Sequence, residues 1–209
     1  MKSFLYLILT LAISYCCGNL NGSIIASRSC YQSDVRECGS GNAGLTNFCR
    51  CYGVRMAFLV ILIDILKTVV AVFAGGIIMD RCGLSSLGQG AALLGAMIGH
   101  MFPVAYQFRG GKGVLTAFSG LIIIDWRVSL MMLAVFAIVT LLSRYVSLGS
   151  VICAGLFPFA LCVDTQDLFL SAFALVCSAM ILIMHRDNIR RLCSGTESKL
   201  TLFGRKNQQ

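Results

Sequence analysis

The chain has 209 residues, 57% of them hydrophobic and only 12% charged, about half the charged share of an ordinary soluble domain. A water-soluble fold of this composition would leave large apolar patches in solvent, which excludes it in favour of a bundle of transmembrane helices. The net charge of +8 then points to basic loops beside membrane spans rather than to nucleic acid.

In chain order, the first apolar block is Phe4 to Leu20, preceded by Lys2. It ends in Tyr15-Cys16-Cys17-Gly18 without a small-x-small cleavage site, so it reads as an uncleaved first helix rather than a signal peptide. A polar stretch, Asn21 to Arg55, follows. The second block, Val54 to Met79, contains Asp64 and Lys67 one turn apart, which read first as a neutralising pair inside the membrane. The third, Gln89 to Phe108, carries His100 and Pro103. After the glycine-rich Arg109 to Gly113 comes Val114 to Ile124, too short to cross a bilayer alone. The turn before it is expected within the membrane boundary, where non-helical backbone survives only against protein or a water-filled cavity. A buried polar site is implied. Val128 to Leu142, Val146 to Val163, Leu168 to Met184 and a basic tail complete the chain. The expected fold is one all-α membrane domain, 1–209, of about seven spans.

Eleven cysteines raise metal or disulfide chemistry. Cys153, Cys162 and Cys177 lie within apolar runs, Cys16 and Cys17 close another, and Cys49 and Cys51 have no second pair at zinc-binding spacing. They read as small apolar filler in a reducing compartment, with no metal and no cofactor expected.

Orientation follows from charge. With the N-terminus outside and seven crossings, the inner side holds thirteen basic residues: Arg28, Arg36, Arg50, Arg55, Arg109, Lys112, Arg144, Arg186, Arg190, Arg191, Lys199, Arg205 and Lys206. The outer side holds three: Lys2, Arg81 and Arg127. This positive-inside bias gathers the polar segments 21–55, 107–116 and 185–199 on the cytoplasmic face.

The first segment reads Gly39-Ser40-Gly41-Asn42-Ala43-Gly44-Leu45-Thr46-Asn47, with Arg50 close behind. It matches G-x-G-x-x-G formally, but no strand precedes it and no βαβ unit surrounds it. It offers convergent backbone amides and Ser, Thr and Asn donors suited to an anion; alone, it is equally an ordinary polar turn. The second, Arg109-Gly110-Gly111-Lys112-Gly113, is not a Walker A loop. Glycines flanking a lysine at a helix start nonetheless suit phosphate, and the plainer reading is a basic membrane-flanking turn. The third runs His185-Arg186-Asp187-Asn188-Ile189-Arg190-Arg191-Leu192, then Gly195-Thr196-Glu197; its basic residues also serve as a topology anchor. Neither a G-x-S-x-G nucleophile elbow nor the H-x4-D pattern of common glycerolipid acyltransferases occurs.

Together the segments resemble the acyl-phosphate:glycerol-3-phosphate acyltransferase family, the PlsY type of bacterial phospholipid synthesis. The likeness covers nearly the whole chain. Gly22-Ser23 and Asp34-x-Arg36 lead into the first segment, and Gly99-His100-x-Phe102-Pro103-Val104 into the second with Thr116. Arg144-Tyr145-Val146-Ser147 precedes the third. Leu45, Leu115 and Ile25 depart from the family pattern at apolar neighbours of polar positions, which bears on pocket shape.

The resemblance implies transfer of a fatty acyl group from acyl phosphate to the 1-hydroxyl of glycerol 3-phosphate, giving lysophosphatidic acid. Ser40, Asn42, Lys112, His185, Asn188 and Glu197 are the expected catalytic residues. Gly41, Gly44, Thr46, Asn47, Arg50, Gly110, Gly111, Gly113 and Thr116 are the expected substrate-binding ones. A monomer is expected in the bacterial inner membrane, with membrane lipid around it and no nucleic-acid partner. The competing class is a transporter for a small organic anion, which fits broken helices and intramembrane charge. It predicts inverted repeats, and the sequence has none.

Overall fold

The computed structural model describes residues 1–200, which form ten α-helices and two short 3-10 turns; no strand occurs among them. The helices are α1 (Lys2–Gly18), α2 (Gly22–Tyr31), α3 (Leu45–Tyr52), α4 (Ala57–Asp80) and α5 (Ser85–Met101). There follow α6 (Val114–Ile124), α7 (Trp126–Ser143), α8 (Val146–Thr165), α9 (Leu168–Met184) and α10 (Arg186–Cys193). Arg205 and Lys206, counted above among the inner basic residues, lie outside the described residues.

Each of the seven apolar blocks is a helix: α1 and α4 to α9. Five helical stretches are long and apolar enough to cross a membrane, and a sixth results if α9 and α10, bent by 59° at His185, form one span. Helix α6 has only 11 residues. The exposed faces are lipid-like. On α4, Phe58, Leu62, Leu66, Val70, Phe73 and Ile77 recur at helical spacing and are exposed, while Asp64, Lys67, Ala71 and Gly75 turn inward.

Helix α5 is the central post, packed against α1, α4, α6 and α9. Its buried face is mostly Gly and Ala, and a Cβ on Gly75 of α4 would meet the Gly88 carbonyl of α5 at 2.7 Å. Small side chains let the backbones approach where dispersion, not water, drives association. Helix α1 packs along α5 and α4 as part of this core. Helices α7, α8 and α9 pack in sequence, and their turns are capped by Asp125 and Asp167, whose carboxylates accept from the first amides of α7 and α9.

Two boundaries differ from expectation. The third block ends as a helix at Met101, because Pro103 disfavours helical backbone at Phe102, which sits at φ −127°, ψ 60°. The stretch 21–55, expected as a polar loop, contains α2, a 3-10 turn at Val35–Glu37, and α3. They share a small core of Ile24, Val35, Ala43 and Phe48 against Val60 of α4. The cysteine reading also needs one correction: Cys38 and Cys51 are disulfide-bonded, with Cα atoms 6.1 Å apart. Packing brings them together, since Asn47, one turn before Cys51, donates to the Cys38 carbonyl at 2.9 Å.

Candidate active site

Three loops meet at one end of α5. The first, residues 38–44, hangs on Asn47. Its amide nitrogen donates to the carbonyls of Val35 (3.0 Å) and Cys38 (2.9 Å), and its amide oxygen accepts from the backbone of Ser40 (2.9 Å). Asn47 was expected to bind substrate. It is buried with both ends of its amide used, so its place is as a brace within the loop. Ser40, Thr46 and Arg50 are exposed and Asn42 is half-buried. Gly39 and Gly41 have φ of +60° and +69°, left-handed backbone that only glycine adopts freely. Gly44 precedes the first turn of α3, whose amides have no side-chain cap.

The second loop, Arg109 to Gly113, folds back on the last turn of α5. Gly110 donates to the Met101 carbonyl and Gly111 to the His100 carbonyl, each at 3.1 Å. A Cβ on Gly110 would stand 2.7 Å from Pro103 and 2.8 Å from the Met101 carbonyl oxygen, and one on Gly111 2.8 Å from the Ala43 carbonyl oxygen. No larger residue fits at either position without moving backbone. Gly113 opens α6, whose first amides are likewise free of a side-chain cap. Ala43 donates to the Gly110 carbonyl at 3.4 Å, so the loops before α3 and α6 lie side by side. Two uncapped helix N-termini therefore flank one region, each with free amides and the positive end of its dipole.

Arg36 joins the loops from outside. Its guanidinium grips Asp34 through two bonds, of 2.9 and 2.8 Å, and donates to the Tyr106 carbonyl at 2.7 Å. The pairing holds the Asp34 carboxyl well below the usual carboxylate range.

The third loop supplies the partner of Lys112. Its ammonium donates to the side-chain oxygen of Asn188, and the amide nitrogen of Asn188 donates in turn to Glu197 at 2.7 Å. The Glu197 carboxylate also accepts from Ser147 (2.8 Å) and from Arg191 (2.6 Å). Glu197 thus ties α10 and the tail to the start of α8, and these donors keep its pKa below the ordinary value against the cost of burial. The tail closes over this junction, with the Leu200 amide on the Arg144 carbonyl at 2.6 Å.

Lys112 is driven toward deprotonation, first by burial and then by the nearby positive charge of Arg191, with Arg50 adding to it; Glu197 and Asp187 oppose. Three cations share one region with two helix N-termini. That is a field built to receive anionic charge. His185 is buried at the bend between α9 and α10, and its Nδ1 donates to the Ile181 carbonyl at 2.8 Å. Burial, aided by Lys112, pushes its pKa down to about 4. The ring is neutral at physiological pH, and its Nε2 is left as an acceptor.

The structure therefore unites Lys112, Asn188 and Glu197 directly, sets His185 within their field, and brings the Ser40–Gly44 loop against Gly110 and Gly111. Thr116, expected at the site, is wholly buried and its hydroxyl has no partner among the described residues. Ser147 and Arg36 were assigned no role from sequence, although both stand in the family-like pattern.

The family model for glycerol-3-phosphate acyltransferases matches residues 8–195. A glycerol-3-phosphate acyltransferase of Finegoldia magna is 38% identical over 199 residues, covering 95% of this chain and 98% of the relative. One from Pectobacterium carotovorum is 37% identical, covering 94% and 90%. Among solved structures, the chain is similar to the glycerol 3-phosphate form of PlsY (YgiH), an integral membrane glycerol 3-phosphate acyltransferase. The TM-score is 0.84 at 32% identity, with 93% of this chain and 96% of that one covered. The lysophosphatidic acid form gives 0.81 at 31% identity, covering 93% and 95%. Matched over more than nine-tenths of its length in sequence and in fold, the chain belongs to the PlsY-type glycerol-3-phosphate acyltransferase family.

Proposed function

We propose that this acyltransferase takes its acyl group from acyl phosphate and delivers it to the 1-hydroxyl of glycerol 3-phosphate, releasing inorganic phosphate and lysophosphatidic acid. The observation that carries this reading is that Lys112, held by Asn188, stands between two uncapped helix starts whose loops lie side by side, with Arg50 and Arg191 near enough for their charges to act on it, which suits two phosphate-bearing substrates held together. An acyl phosphate is a mixed anhydride with a good leaving group, so neither a covalent serine intermediate nor a metal is needed. Positioning and charge stabilisation are enough.

In this scheme Lys112, Arg50 and the glycines Gly110, Gly111 and Gly113 hold the phosphate of glycerol 3-phosphate. Ser40, Asn42 and Thr46 orient the hydroxyl and the acyl carbonyl, with Gly41 and Gly44 shaping their loop. Asn188 and Glu197 keep Lys112 aimed, and neutral His185 accepts a hydrogen bond at Nε2. The glycerol oxygen attacks the acyl carbon, the carbon–oxygen bond to phosphorus breaks, and the hydroxyl proton leaves on a phosphate oxygen. Phosphate groups ionise near pH 6, so that oxygen is a competent acceptor at neutral pH.

The acyl chain lies among the spans and opens sideways to lipid. The whole chain acts as one monomeric domain in the bacterial inner membrane, crossing seven times with the N-terminus outside. The basic-residue bias supports a cytoplasmic site.

The test is acyl transfer to labelled glycerol 3-phosphate by purified protein, with palmitoyl phosphate, palmitoyl-CoA and palmitoyl-acyl carrier protein run in parallel. Lysophosphatidate from palmitoyl phosphate alone is expected. Equal product from either thioester would overturn the donor assignment.

A further inference from the structure

Beneath the phosphate loop lies a polar cluster that the reaction scheme does not use. Lys67 of α4 is buried, and its three protons have three acceptors: Asp64 Oδ1 at 2.6 Å, the Leu20 carbonyl at 2.7 Å and His100 Nδ1 at 2.9 Å. Asp64 Oδ1 also accepts from the Gly22 amide at 3.1 Å. With Nδ1 accepting from an ammonium, His100 carries its ring proton on Nε2. That Nε2 lies against Gly111, where an added Cβ would run into it, and the His100 carbonyl receives the Gly111 amide. The Ala43 carbonyl borders the same spot and is itself held by Asn21 at 3.0 Å, one residue before Gly22.

We infer that Asp64, Lys67 and His100 are positioning residues for glycerol 3-phosphate, a strut that sets the height and register of the Gly110–Gly111–Lys112 backbone against the Ser40 loop. Charge neutralisation is met by Asp64 alone; the buried ammonium's other two protons need acceptors in any case, and what distinguishes this pair is which groups supply them. Such a pair is commonly replaceable by neutral residues without loss of stability. Here the ammonium's remaining protons are spent on His100, whose ring and carbonyl both touch Gly111, and on Leu20 just before the Asn21 brace. The strut thus reaches both loops from one charge. The inference rests on the Lys112 loop being the phosphate site proposed above.

The test is glycerol 3-phosphate binding by titration calorimetry on full-length protein in detergent, with thermal unfolding in parallel. Asp64→Asn/Lys67→Met removes both charges together and leaves an acceptor for the Gly22 amide. His100→Asn keeps an acceptor for Lys67 in place of Nδ1 but deletes the ring edge under Gly111. Each is expected to weaken glycerol 3-phosphate binding at least tenfold and to raise its KM in step. Its unfolding midpoint should stay within a few degrees of wild type and its KM for the acyl donor unchanged. A folded His100→Asn protein with wild-type affinity would overturn the strut, whether or not the double variant folds. Lys112→Ala separates the two readings. If it weakens binding while the strut variants do not, only the strut fails. If it leaves binding unchanged, the phosphate-site reading fails and the strut with it.

Discussion

Glu197→Ala isolates the hub that aims Lys112. The carboxylate accepts from Asn188 at 2.7 Å, Ser147 at 2.8 Å and Arg191 at 2.6 Å. Asn188 and Ser147 are buried, so truncation strands two donors and frees the amide that holds the Lys112 ammonium. Hydrogen bonds to a charged acceptor contribute about 1.5–3 kcal/mol each. The Arg191 side chain is 44% exposed, so its share is discounted for solvent screening, and water can enter the space that truncation leaves. A net loss of about 2–3 kcal/mol from the aligned site is the resulting estimate. At about 1.4 kcal/mol per tenfold change, kcat/KM falls roughly 30- to 150-fold. Glu197→Gln keeps one oxygen for Asn188 and Ser147 and gives up mainly the Arg191 pair, so its loss should stay below about tenfold. The assay is lysophosphatidate formation from palmitoyl phosphate and labelled glycerol 3-phosphate, normalised to folded protein. Glu197→Ala activity within threefold of wild type would refute the hub.

Three further outcomes follow from the geometry. Lys112→Ala should cost about 10²–10³ in kcat, read in the same assay; undiminished turnover removes Lys112 from the chemistry. His185 has its pKa pushed down to about 4, so the unfolded chain takes up a proton near pH 6.5 that the folded protein refuses until about pH 4. Stability therefore drops as pH falls through this window, by about 3 kcal/mol at 1.36 kcal/mol per unit. Wild-type unfolding midpoints should fall between pH 6.5 and 4, whereas His185→Asn, which keeps a donor for Ile181, should show a flatter profile there; identical profiles would exclude His185 as the source. Asp34 and Glu197, both held below their ordinary values, lose their stabilising contribution only at lower pH. Finally, alkylation of denatured protein followed by mass spectrometry should modify Cys49 directly but Cys38 and Cys51 only after reduction; free thiols at both would contradict the bridge.

What the sequence made legible, and what it hid, divides along physical lines. The bounds of α6 and α9 agree with their apolar blocks because local signals fix them: Gly113 at φ +79° starts the one, and the Asp167 cap starts the other. Helices α2 and α3 were hidden because they carry mixed polar and small residues and are held by packing onto α4, not by an apolar run. The residue types of the site were readable as an inventory of donors. Their division into donors that face substrate and donors spent on the fold was not. Asn47 illustrates this: its amide suits a ligand, yet the loop's own backbone consumes it. The same reasoning applies to Lys67. Read along its helix, it has one partner, Asp64, three residues before it. The partner that connects it to the site is 33 residues away on α5. The lysine's charge is balanced within α4, but its other protons must find acceptors. One of them goes to the ring of His100, which lies against Gly111; that contact is the ground on which we propose Lys67 as support for the Lys112 loop as well as part of the membrane packing.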